Sequence, residues 1–264
     1  MAISTITATI TITTMAMIMA TATITTITTT RTTAMDDARQ PQAQALKQQL
    51  ADALRMLERA EVIDFNGHMS CRLPGTPHAL INSGKSVRSA LTADDIIAID
   101  MDGKPVGTDV VPPMEFHIHT EIYRRRPDVN AVAHTHPLWS TLFSMTGEAV
   151  QPVTMQAAVM GPIRTFAKTA SINQKALAEE LAAALGEHRV VMLKSHGAVV
   201  VGADIVEAFV LGIYLEETAR RQYLARAIGT PYALTAQEVD TIGANLRKPH
   251  LLKKVWDYHH AKLR

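Results

Sequence analysis

The residues best suited to chemistry fall in three short stretches: Pro112-Pro113-Met114-Glu115-Phe116-His117-Ile118-His119, Ala131-Val132-Ala133-His134-Thr135-His136-Pro137 and Lys194-Ser195-His196-Gly197. On a β-strand, residues two apart point to the same side. His134 and His136 can therefore aim two imidazoles at one point, immediately after an apolar run, and two imidazoles are a common start for a borderline metal such as zinc. Pro137 should end that strand and open a cleft there. His196 also follows an apolar run and is the candidate for a third ligand, with Gly197 allowing a sharp turn beside it. The bland alternative for each is a hydrogen-bonded histidine at a strand end, and spacing alone does not bring the segments together. If the Pro113–Tyr123 stretch is helical, His117 and His119 diverge by about 200° and cannot share an ion. Glu115 and His119, four apart, would then share a face, so that His119 orients Glu115 or a ligand from behind.

These side chains need a scaffold, and the pattern supplies one. Leu46, Leu50, Leu54 and Leu57 recur at helical spacing. Asn66-Gly67-His68 then reads as a turn. Ala79-Leu80-Ile81, Ile96–Ile99, Ala131-Val132-Ala133, Val190–Leu193 and Ala198–Val201 have strand length and β-branched content. Asp102-Gly103 marks a hairpin. Helices are expected from near Pro113 through Tyr123, from Ser171 to Leu185 with Gly186 as the C-terminal cap, and from Asp204 as an N-cap. Helical patterning returns between Thr235 and Arg264, and Tyr258, His259 and His260 there, with Tyr232 just before it, are further candidates near a neighbour's site. Strands and helices are mixed, and the hairpin argues for antiparallel pairing. The expectation is an α/β protein: three layers, α/β/α, around a largely antiparallel central sheet.

Composition excludes several classes. The 26 Lys and Arg balance 25 Asp and Glu, for a formal net charge of +1, whereas a nucleic-acid binder needs a clustered basic excess. There is no Gly-rich dinucleotide or phosphate-loop motif. Cys71 is the single cysteine, so no internal disulfide can form, and a reducing, cytoplasmic setting is expected. Residues 1–34 are a low-complexity run of Thr, Ile, Ala and Met. They lack the charged start of a secretory signal and the roughly 20 apolar residues of a membrane span. They are expected to be a disordered appendage or an upstream mis-start before Met35, with the catalytic domain occupying 35–264.

Taken in order, several blocks resemble the class II aldolase/adducin family across roughly residues 45–230. They are Asn66–Arg72, Ile81-Asn82-Ser83-Gly84, Glu115–His119, Tyr123–His136, Leu193–Gly197 and the helix containing Leu215-Glu216-Glu217-Thr218-Ala219. The resemblance implies a divalent ion on His134, His136 and His196, usually zinc, with manganese, cobalt or iron as alternatives. It implies Glu115 as the general acid/base, and a homotetramer with active sites at subunit interfaces. Sugar-phosphate members hold phosphate through a glycine loop, here Ser83-Gly84 with Asn66, and through two serines before the glutamate. This chain has Pro113 and Met114 there, neither able to donate from its side chain. Losing about two charge-assisted bonds of ~1.5–3 kcal/mol each disfavours a phosphate. The Pro-Pro-x-Glu form is similar instead to decarboxylases of dihydroxyphthalate and dihydroxy-p-cumate type, acting on a hydroxylated aromatic or meta-cleavage-derived acid. Lys85 and Arg88 could then meet a substrate carboxylate, or be exposed loop charges. A sugar-phosphate aldolase, epimerase or dehydratase, and more remotely a non-catalytic adducin-like scaffold, are the rival readings.

Overall fold

The computed structural model describes residues 40–263. The expected boundary near residue 34 lies outside them. The chain divides after Ala45, and everything below concerns the unit from Leu46 onward. Residues 40–59 are helical (α1), and from Leu46 this helix buries Leu50, Leu54 and Leu57 as the leucine spacing requires.

Eight strands form one sheet: β1 His68–Arg72, β2 Ala79–Asn82, β3 Ile96–Ile99, β4 Pro105–Val106, β5 Ala131–Thr135, β6 Ile163–Phe166, β7 Val190–Leu193 and β8 Gly197–Gly202. Their spatial order is β4-β3-β2-β1-β5-β8-β7-β6. Every neighbouring pair is antiparallel except β6 with β7, so the largely antiparallel expectation holds. The remaining helices are α2 His117–Arg125, α3 Leu138–Thr146, α4 Ala157–Met160, α5 Lys175–Leu185, α6 Ile205–Arg226, α7 Ala236–Leu246 and α8 Pro249–His260.

Alternation along the strands divides the core in two. Ala131, Ala133, Val190, Met192, Ala198 and Val200 face one apolar layer with α1 and α6. Val132, Val191, Leu193, Val199 and Val201 face the other with α2 and α5. This is the expected three-layer α/β/α arrangement. None of the described helices is long and apolar enough to cross a membrane.

Local expectations hold in several places. The Asp204 side chain caps α6 by accepting from the Glu207 N–H at 2.8 Å. Gly186 ends α5 at φ +55°, and Gly103 turns the β3–β4 hairpin at φ +83°. Others need correction. His68 opens strand β1 rather than belonging to a turn, because Asn66 and Gly67 complete the reversal before it. Residues 114–116 form turns, and α2 begins only at His117. The α5 helix starts at Lys175, not Ser171, since residues 171 and 172 serve a different purpose. Strand β6 was not legible: Ile163-Arg164-Thr165-Phe166 lies at the sheet edge and is half-buried to exposed except at Phe166, so it carries little apolar signal.

Candidate metal centre

One end of the sheet gathers the chemistry. The C-terminal end of β5 brings His134, with His136 one residue beyond the strand. The turn between β7 and β8 brings His196, its N–H bonded to the Leu193 carbonyl at 3.1 Å. Here the positive φ needed for the turn falls on Ser195, at +55°, not on Gly197 as expected. Gly197 is required for another reason: a Cβ there would lie 2.2 Å from the Thr135 carbonyl oxygen and 3.0 Å from His136 Cδ2. The glycine lets β8 approach β5 closely enough for the three imidazoles to meet.

Donor atoms of Glu115, His134, His136 and His196 all lie within 4.8 Å of one another. His134 Nε2 is 3.0 Å from His136 Nε2 and 3.3 Å from Glu115 Oε2, and His196 Nε2 is 3.8 Å from the same oxygen. A tetrahedral zinc with bonds of about 2.0–2.1 Å holds its ligands roughly 3.3–3.4 Å apart, and these separations bracket that distance. The hydrogen bonding makes the case stronger. His134 Nδ1 donates to the Ala198 carbonyl at 3.1 Å, and His136 Nδ1 donates to Asp64 Oδ1 at 3.3 Å. Both partners are pure acceptors, so each neutral ring must carry its proton on Nδ1. Two Nε2 lone pairs and a carboxylate oxygen are left facing one another, which is an arrangement that a cation relieves. His136 and His196 are held below the ordinary histidine pKa, chiefly by burial, which favours the neutral form that a metal requires.

Glu115 sits in the turn before α2. Its Oε1 accepts from the Ser171 hydroxyl at 2.9 Å and from the Ile172 N–H at 2.6 Å; this is the role of the extended segment ahead of α5. Burial opposes ionisation of Glu115, but the histidine groups of His134 and His68 together with the Ile172 N–H more than offset it, holding the carboxyl well below the usual range. Oε2 is left toward the imidazoles.

The centre opens on a cavity of about 550 Å³ walled by Asn66, Gly84, Lys85, Arg88, Met114 and Glu115, among others. Gly84 packs against the Val111–Pro113 wall, where a Cβ would stand 2.8 Å from the Pro112 oxygen. Asn66 and Lys85 are exposed there. Arg88 is only 6% exposed: Nε donates to the Gly67 carbonyl at 2.7 Å and Nη1 bonds the Ser86 carbonyl and hydroxyl. Nη2 has no protein partner among the described residues. Ser83 is 2% exposed and stands behind the lining; its carbonyl accepts from the Ser86 hydroxyl at 2.8 Å.

His119 is not among the converging ligands. It is fully buried and bonds His68 Nδ1 at 2.6 Å, so it reaches Glu115 through His68 rather than along a shared helical face. His117 lies tilted against Phe116, His259 packs edge-on against Phe209, and His260 faces Asp52. Tyr232 and Tyr258 are exposed. Sequence reasoning missed Asp64, Ser171 and His68, whose Nε2 is 3.9 Å from Glu115 Oε2. The polar–apolar alternation of His68-Met69-Ser70-Cys71 was the available signal for the last.

The family profile described as Class II Aldolase and Adducin N-terminal domain matches residues 48–223. An L-fuculose phosphate aldolase of Methanocaldococcus jannaschii is 30% identical over 174 residues, 66% of this chain and 93% of the relative. A 3,4-dihydroxyphthalate decarboxylase of Terrabacter sp. is 28% identical over 209 residues, 74% of this chain and 87% of the relative. Among solved structures, the L-fuculose 1-phosphate aldolase from Glaciozyma antarctica superposes with a TM-score of 0.75 at 22% identity, covering 85% of this chain and 90% of that one.

Proposed function

The chain belongs to the class II aldolase and adducin family, and from that premise we propose that it is a metal-dependent carboxy-lyase acting on a hydroxylated aromatic acid or a meta-cleavage-derived acid. The carrying observation is the convergence of Glu115, His134, His136 and His196 on a cavity whose Val111–Met114 side offers no side-chain hydrogen-bond donor. His134, His136 and His196 would hold one divalent ion, zinc first by donor type, with manganese, cobalt or iron as alternatives. When bound, such an ion supplies Lewis-acid stabilisation of the electron pair left behind as carbon dioxide departs.

The protein's own groups do the rest. Lys85 and the Nη2 of Arg88 receive the substrate carboxylate, and Asn66 and the Gly84 backbone line its path. Glu115, held ionised at rest, takes the proton of a substrate hydroxyl. The carbon–carboxylate bond breaks with its electrons remaining on carbon, and Glu115 returns the proton to that carbon. Ser171 and Ile172 keep Oε1 fixed, so only Oε2 faces the reaction. The apolar side chains of Val111 and Met114, exposed in the lining of this cavity, support an assembly of copies, the homotetramer, whose neighbour completes the site. The buried Cys71 thiol accords with a cytoplasmic setting.

A sugar-phosphate aldolase is the second reading. The fuculose phosphate aldolases among the relatives favour it, and Lys85 and Arg88 can meet a phosphate as readily as a carboxylate. The zinc-loaded protein should be assayed for carbon dioxide release from dihydroxy aromatic acids and for aldehyde release from ketose phosphates, with Glu115→Gln as control. Carbon dioxide release abolished in Glu115→Gln supports the carboxy-lyase. Aldehyde release alone transfers the site to the aldolase reading, and turnover of Glu115→Gln at the wild-type rate removes the acid/base assignment.

A further inference from the structure

Behind Glu115, on the sheet face covered by α2, a line of polar side chains runs from the cavity into the core. Tyr123 Oη lies 2.7 Å from Ser70 Oγ, Ser70 Oγ 2.6 Å from His119 Nδ1, and His119 Nε2 2.6 Å from His68 Nδ1. All four are buried. Of them, His68 lines the cavity. It stands directly across the strand pair from His134, so the β1–β5 register delivers it to the metal centre.

The direction of every bond in this line is set from its far end. Ser70 Oγ is the one hydrogen-bond partner of the buried Tyr123 hydroxyl among the described residues, so that O–H must be donated to Ser70. Ser70 has one O–H, which goes to His119 Nδ1. With Nδ1 accepting, each ring in turn can carry a proton only on Nε2. That of His119 sits on Nε2 and is donated to His68 Nδ1. The proton of His68 must therefore sit on its own Nε2, the atom that faces Glu115. Glu115 Oε2 is 3.9 Å away, beyond hydrogen-bond reach. A neutral N–H donor with no partner among the described residues is left at the cavity wall.

We propose that Tyr123, Ser70 and His119 are positioning residues that lock His68 as its Nε2–H tautomer, and that His68 spends this N–H on an anionic oxygen of the substrate bound beside Glu115. The tautomer lock follows from the hydrogen bonds alone; the substrate contact rests on the lyase reading. A neutral donor suits that place, because a protonated histidine beside the dication would repel it, and an acceptor would repel both Glu115 and an anionic ligand.

Nitrogen NMR of the full chain, labelled in histidine and loaded with zinc, reads the tautomer directly, with His68→Gln identifying the resonance. The lock requires protonation at Nε2 in the wild type, and a shift toward Nδ1 in Ser70→Ala that Ser70→Thr reverses. Calorimetry with oxalate, a small chelating dianion, reads the donor. His68→Leu should bind oxalate about ten- to a hundredfold more weakly at unchanged zinc content, in line with a charged-acceptor hydrogen bond. His68→Gln, which restores an N–H at similar reach, should recover most of that loss. In turnover the loss in His68→Leu should fall on kcat/KM. Wild-type protonation at Nδ1 overturns the lock. Wild-type oxalate affinity in a folded, zinc-replete His68→Leu overturns the donor role. If His68→Leu does not fold, the Ser70→Ala and Ser70→Thr pair decides by the same two measurements. A wild type that turns over neither substrate class while keeping the tautomer and the oxalate effect leaves the lock standing and refutes the lyase reading alone.

Discussion

Gly197→Ala tests the argument that close approach of β8 to β5 builds the metal centre. The added Cβ would lie 2.2 Å from the Thr135 carbonyl oxygen, about 1 Å inside an ordinary carbon–oxygen contact of roughly 3.2–3.4 Å. Neither partner can step aside cheaply. The oxygen belongs to β5 backbone, and Thr135 pairs with Ala198 in the ladder. The strands must separate by about 1 Å, carrying His136 away from His196. Overpacking of this kind costs roughly 1–3 kcal/mol, or about 2–12 °C of melting temperature for a domain of this size. An error of 1 Å also far exceeds the ~0.2 Å tolerance of zinc bonds. Zinc affinity should therefore fall by at least about tenfold, which is ~1.4 kcal/mol. Melting scans with and without zinc, together with zinc titration against a chelator of known affinity, give both quantities. Gly229→Ala is the control, since a Cβ there meets nothing within 4 Å. If Gly197→Ala binds zinc as the wild type does and melts at the same temperature, the close-approach argument is wrong.

Three further outcomes are expected. His134→Ala should abolish stoichiometric zinc binding, whereas Asp64→Ala, which removes only the acceptor on His136 Nδ1, should weaken it about ten- to a hundredfold; elemental analysis and competitive titration separate the two. Arg88→Met should cost about 1–3 kcal/mol in denaturant unfolding, because the Gly67 carbonyl loses a buried charged donor, and should also raise KM for an anionic substrate. The Cys71 thiol has its pKa pushed up to about 12 by burial. Its thiolate is therefore negligible at pH 8 in the folded protein, and a thiol reagent at that pH should label it only after denaturant is added, as quenched-reaction mass spectrometry would show.

Much of the fold was legible because periodicity reports burial. Runs such as Val190–Leu193 and Ala198–Val201 are buried on both faces and kept their apolar character, and the leucines of α1 announced the helix that covers them. The acidic N-cap of α6 and the glycine after α5 are local signals, and they held. Edge strand β6 failed because half its residues face away from any core. The start of α2 was placed too early, since Pro113 through Phe116 turn in the helical sense but through i to i+3 bonds such as that from the Phe116 N–H to the Pro113 carbonyl at 3.1 Å, and the α-helix begins only at His117.

The site divides along the same line. Local sequence determined that His134 and His136 end a buried strand on one side of the sheet, because a two-residue period and a following proline leave the chain little choice. Whether His196 joins them is settled by strand order and by the depth of the contact between Gly197 and Thr135, and Glu115 is held there by Ser171 and Ile172, 56 and 57 positions further along the chain. His68 belongs wholly to that second category. Its proton position is dictated by a hydrogen-bond line through Ser70, His119 and Tyr123, and only packing β1 against α2 brings those atoms within 3 Å of one another. A chain carries its periodicities in itself, but the pairing of polar atoms across a core exists only once the core has formed.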